Sequence, residues 1–183
     1  MSYALLTGSL LVLAWVVWTY NRMVRNRNRV DEAWAGIDVQ LQRRYDLVPN
    51  LVKTVKGYMQ HESRVLERVT ALRGNPDMQL PERSEQESGL SRSLGKLFAL
   101  AEDYPELKAS EGFQQLHESL VRIEEHLQFA RRYYNGSVRD NNNLVESFPS
   151  MLVARPFGFT GASFFEIELA SQRSAPAIDL DPS

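Results

Sequence analysis

Cysteine is absent from the 183 residues, which excludes disulfides, a thiolate nucleophile and any cysteine-ligated metal. Surplus charge of one sign is lacking too. A formal net charge of -2 offers no basic excess of the kind a general nucleic-acid binder carries, so no nucleic-acid partner is expected. Histidine is scarce, and its three positions have the wrong spacing for metal. His61, His117 and His126 are preceded three positions earlier by Tyr58, Gln114 and Ile123, where a di-metal helical bundle needs Glu. Val65 and Val121 stand where His-Glu-x-x-His would need its second histidine. No glycine loop ends in Lys-Ser or Lys-Thr, and no Gly-x-Ser-x-Gly elbow occurs. The expectation is a non-enzyme with no catalytic residue, no cofactor and no metal.

Charge is also missing from the first 21 residues, and that absence is informative. Tyr3 to Tyr20 is mostly apolar, and Arg22, Arg25, Arg27 and Arg29 follow at once. Eighteen residues of helix rise about 27 Å, enough to cross a hydrocarbon core. Arginines on one flank hold that side in the cytoplasm, giving N-out, C-in topology. Trp15, Trp18 and Tyr20 gather toward the arginine end, where amphipathic rings favour the headgroup level. A cleaved signal would carry a positive n-region and small residues at its end; here bulky Trp-Thr-Tyr precedes the first arginine. A buried helix of a soluble domain is the other competitor. Residues 1–21 are read as a single-pass anchor, with the lipid bilayer as partner.

Beyond the anchor the apolar residues keep helical spacing, with no credible strand pair. Val30, Trp34, Ile37 and Leu41 step by four, three and four. Asp46 and Pro49 suggest a tight corner, with a second helix from Pro49 to about Arg73; a continuous, kinked helix through Asp46 is the alternative. Gly74 to Glu87 reads as a surface loop. A third helix is expected from about Gln86 to Asp103, and a fourth from about Ser110 to Glu146. The fourth carries Phe113, Leu116, Leu120, Ile123, Leu127, Ala130 and Tyr134 in alternating steps of three and four. The fold class is all-α: an N-terminal transmembrane helix, then an antiparallel four-helix bundle over residues 22–147.

Three reversals would return the fourth helix to the bilayer. The segment 148–170 holds five of the chain's eight phenylalanines and reads as a membrane-proximal tail; 171–183 reads as disordered. The tail can pack on the bundle or enter the interface. Phe148 with Met151 and Leu152 is assigned to packing. Phe157, Phe159, Phe164 and Phe165, with Arg22, Arg25, Arg27 and Arg29, are candidate membrane contacts. A polar group at the first corner, Asp38, Gln40, Arg43, Arg44, Asp46 and Asn50, serves as helix cap and register network or as an interaction surface.

The run Arg29-Val30-Asp31-Glu32-Ala33-Trp34-Ala35-Gly36-Ile37-Asp38-Val39-Gln40-Leu41, continuing through Arg43-Arg44-Tyr45-Asp46-Leu47-Val48-Pro49-Asn50-Leu51-Val52, resembles the signature of the LemA family. Val55-Lys56-Gly57-Tyr58 and His61-Glu62 extend it. Ala130-Arg131-Arg132-Tyr133-Tyr134-Asn135, Ser147-Phe148-Pro149 and Phe164-Phe165-Glu166 are similar to the family's later blocks. Asn141 departs, standing where an aromatic is expected before Asn142. The resemblance implies a bacterial, single-pass inner-membrane protein with no established catalytic activity, in a family that includes a magnetosome-membrane protein. It further implies an interaction or scaffold role, self-association or a membrane-protein partner, and, alternatively, an adaptor for a membrane peptidase.

Overall fold

The computed structural model describes residues 2–59, 62–72 and 80–165, with Pro81 by its backbone alone. His61, the 171–183 segment and the end of the 148–170 tail lie outside the described residues. Within them the chain is all-helical: α1 Ser2–Lys56, α2 Ser63–Ala71, α3 Leu80–Ala101, α4 Pro105–Lys108, α5 Glu111–Glu146 and α6 Met151–Ala154. They form two compact units. One joins Met1–Leu41 with Glu125–Phe164, and the other is built on Gln42–Glu124.

α1 is the one helix among the described residues that is long and apolar enough to cross a membrane. Only 6% of its apolar window is buried. A core helix would bury most of that surface, whereas Leu5, Leu6, Leu10, Leu11 and Leu13 stay exposed here.

The corner expected at Asp46 does not exist. α1 runs unbroken from the apolar segment through Pro49 to Lys56. Its buried stripe explains why: Val30, Ile37, Leu41, Val48 and Val55 keep one phase, and Leu41 to Val48 is a whole heptad. A turn between them would have broken that phase. Pro49 removes one backbone hydrogen bond, but its ring sits on the exposed face and leaves the buried stripe undisturbed. The helix ends instead around Gly57, where the Tyr58 and Met59 amides both donate to the Val55 carbonyl.

The loop expected up to Glu87 is likewise helix from Leu80 onward, with Pro81 in the first turn, where its missing N–H costs nothing. The buried stripe of α3 is Arg83, Glu87, Leu90, Leu94, Leu97 and Ala101, stepping four, three, four, three, four. Its first two members are ionisable, which hides the period from a hydrophobicity reading. α5 spans the range expected of it. Phe113, Leu120, Ile123, Leu127, Tyr134, Val138, Asn141 and Val145 are buried along it.

Candidate functional site

Two polar constructions stand out, one in each unit. The first lies where the apolar part of α1 ends. After α5 the chain reverses through Ser147–Ser150, and α6 buries Val153 and Ala154 against Met23 and Val145. Trp15, Val16, Leu144 and Phe159 pack around that cluster. The α6 turn thus reaches the last turns of the apolar segment. Gly158 then takes φ 70, a left-handed conformation that favours glycine. The rings on either side of it close on Tyr20: Phe157 at 5.0 Å and Phe159 at 5.5 Å between centroids, both edge-on. The Arg27 guanidinium lies 5.7 Å over Phe159.

Beyond this collar the tail is clamped along α5 by neutral hydrogen bonds. The Asn142 amide donates to the Ala162 carbonyl at 2.9 Å and accepts from the Ala162 amide at 2.8 Å. Asn141, 4% exposed, donates to the Thr160 carbonyl at 3.4 Å, so the residue that departs from the family pattern holds the tail. Gly161 eases the approach, because a Cβ there would lie 3.2 Å from Glu146 Oε1 and 3.3 Å from Asn142 Oδ1. The Tyr134 hydroxyl donates to the Ser163 carbonyl at 2.9 Å, while its ring packs 5.4 Å from Trp34. Burial, with a smaller contribution from Asp31, raises the Tyr134 pKa and keeps that proton in place.

Four of the expected tail contacts change meaning. Phe148, assigned to packing, is 77% exposed, and its companion Leu152 is 58% exposed. The reversal at Ser147–Ser150 points both outward while Val153 and Ala154 fill the core. Phe165, assigned to lipid contact, is fully buried, and Phe159 is half-buried in the collar. Phe157 and Phe164 remain 57% and 48% exposed. The arginines also divide by helical phase. Arg22, Arg25 and Arg29 share one exposed face at steps of three and four, whereas Arg27 turns toward Phe159.

The second construction replaces the supposed corner. Arg43, Asp46 and Asn50 form an exposed stripe of α1, with Gln42 donating to Asp46 at 3.0 Å. Asp38 is exposed and Gln40 half-buried on the same helix. Arg44 is different: at 1% exposure it is an internal residue and no part of a surface. Its guanidinium lies 3.3 Å from the Glu124 carboxylate and 3.7 Å from that of Glu87, and donates to Ser91 Oγ at 2.7 Å. Glu87 has no exposure at all. Burial raises its pKa to about 7, with Glu124 adding to the rise and Arg44 opposing it. Hydrophobic periodicity had no means of finding this triad, since two of its members occupy core positions.

No group of three His, Asp or Glu side chains that could hold a metal occurs among the described residues. His117 stacks on Phe98 with ring centroids 4.3 Å apart, and His126 is exposed.

Comparison with known proteins supplies an identity for this architecture. Magnetosome protein MamQ 2 of Paramagnetospirillum magneticum is 24% identical over 182 residues, covering 84% of this chain and 67% of the relative. Protein LemA of Metamycoplasma hominis is 24% identical over 149 residues, covering 80% and 68% respectively. Magnetosome protein MamQ of Magnetospirillum gryphiswaldense is 23% identical over 174 residues, covering 80% and 64%. None of these names denotes a catalytic activity. The model of the LemA family matches residues 33–180, most of the chain, and the protein belongs to that family.

Proposed function

We propose that the chain is a membrane-anchored, non-catalytic interaction protein of the bacterial inner membrane. Residues 2–21 cross the bilayer once, N-terminus outside, and the helices beyond form a cytoplasmic antiparallel bundle that docks other copies or other membrane proteins. The observation that carries this reading is the collar. Tyr20, at the end of the apolar segment, is gripped by Phe157 and Phe159, so the returning chain is fastened at the depth where the span meets the headgroups. Phe148, Leu152 and Phe157 then present exposed apolar surface at that level, suited to the bilayer interface. Similarity to magnetosome proteins favours membrane organisation as the process served.

The absence of native cysteine makes the topology directly testable. A Ser183→Cys chain should resist an impermeant thiol reagent in intact spheroplasts and react after lysis; labelling before lysis would refute the orientation. Size analysis of the detergent-solubilised chain, with mass spectrometry of proteins that co-purify, tests the interaction role. Oligomers or a reproducible membrane-protein partner are expected. A solitary monomer, or a hydrolytic activity intrinsic to the chain, would overturn it.

A further inference from the structure

The face of α1 that carries Arg22, Arg25 and Arg29 borders a cleft of about 690 Å³. Its other wall comes from α5 and the turn after it, and includes Asp140, Asn143 and Ser147. The Asn26 amide donates to the Asp140 carbonyl at 3.3 Å, tying the two walls together. The lining holds three arginines and a single acidic residue, Asp140. Arginine's planar fork suits phosphate oxygens, and Asn143 and Ser147 add neutral donors. At one end lies Trp18, with Arg22 stacked 5.5 Å above its ring. Trp18 belongs to the apolar segment, so the cleft opens at headgroup height and its mouth continues onto exposed apolar helix.

We propose that this cleft seats the phosphate of an anionic phospholipid headgroup, with the acyl chains lying along α1. A diffuse basic collar would attract anionic lipid through all four arginines alike. The site inferred here uses three, because Arg27 does not line the cleft and lies instead over Phe159. The proposal rests on residues 2–21 being a membrane anchor, and its test separates the two.

The full-length chain is placed in nanodiscs of phosphatidylcholine containing phosphatidylglycerol as the minority lipid. The lipid retained after detergent exchange is then quantified by mass spectrometry. Phosphatidylglycerol should be enriched over its bulk share. Each arginine lost from the cleft should lower that enrichment about fivefold, equivalent to about 1 kcal/mol per basic contact. Arg22→Gln/Arg25→Gln/Arg29→Gln should abolish it, and Arg27→Gln should leave it intact. Asn143→Asp, a single exposed change that adds a second carboxylate, should also reduce it with helicity unchanged. Equal losses for Arg27→Gln and for a single cleft arginine, or no effect of Asn143→Asp, would overturn the site in favour of general basic attraction. Displacement of the lipid by millimolar glycerol 3-phosphate would overturn it in favour of a soluble phosphate ligand. Alkaline extraction of membranes decides the other question: a wild-type chain that washes off loses both anchor and site, whereas an integrated chain without phosphatidylglycerol preference loses the site alone.

Discussion

The two units bury polar groups in opposite ways. In the unit holding the collar, Asn141, Asn142 and Tyr134 satisfy backbone groups of the tail with neutral hydrogen bonds. In the other, Arg44 is enclosed with Glu87 and Glu124. Neutral amides cost little to desolvate and their bonds do not respond to pH near neutrality. Buried ions carry a desolvation cost that their attraction offsets only in part, and proton uptake can relieve it. The pH sensitivity of this fold is therefore concentrated where the ionic triad lies. The tail clamp is insensitive to it.

The largest effect should follow Arg44→Ala, which leaves Glu87 and Glu124 without their cation. A loss of about 3 to 5 kcal/mol is expected at pH 8, shrinking at pH 5, where Glu87, with its pKa raised to about 7, holds its proton. Thermal unfolding of the full chain in detergent, followed by circular dichroism at both pH values, measures it; a loss independent of pH would break the contrast. Leu120→Ala supplies the apolar reference. It removes a side chain 5% exposed in the same unit and should cost about 2 to 5 kcal/mol at either pH.

Glu87→Gln sharpens the comparison by sign. Its pKa rises from 4.5 to about 7 on folding, so the folded state holds the proton more tightly. The stability this group provides is complete below pH 4.5 and is lost as pH rises toward 7. The Gln variant should therefore melt above the wild type at pH 8, by a margin on the order of 1 to 3 kcal/mol, and the gap should narrow by pH 5 and close below pH 4.5. The opposite ordering at pH 8 would show Arg44's attraction outweighing the burial of the carboxylate. Smallest is Asn142→Ala, which removes both bonds to Ala162. A cost of about 1 to 2 kcal/mol is expected, equal at pH 5 and pH 8. Hydrogen exchange at the Ala162 amide should accelerate with it.

Much of the architecture could be read from periodicity, and the errors share a cause. α5 was placed almost to the residue, because its stripe is apolar or aromatic through Tyr134. The corner expected at Asp46 gives a capping residue and a proline more weight than a phase that continues through them. A proline on an exposed helix face is tolerated, and only the Leu41-to-Val48 heptad could have revealed that. The start of α3 was missed because Arg83 and Glu87 occupy seam positions, which a hydrophobic template scores as solvent. For the candidate site, the sequence shows arginines beside the apolar segment and a phenylalanine-rich tail that helix reversals would return to it. It could not show their sorting: Phe165 inward, Phe148 outward, and Arg27 apart from its three neighbours. That sorting depends on the reversal at Ser147–Ser150, a three-dimensional event with no period.

The unbroken course of α1 sets a rule of angular tolerance for the whole protein. A single helix carries the apolar segment and every side chain from Tyr20 to Arg29 in fixed azimuth. One residue inserted between Tyr20 and Asn21 would swing everything after it by about 100° and advance it by about 1.5 Å. Tyr20 would then still meet its two rings only if Met23 and Arg27 gave up their places beside Val153 and Phe159. Only the stretch before Trp15 is free of this constraint, because Trp15 and Val16 already pack against the Met23 cluster. The spacing after it is keyed like the teeth of a gear.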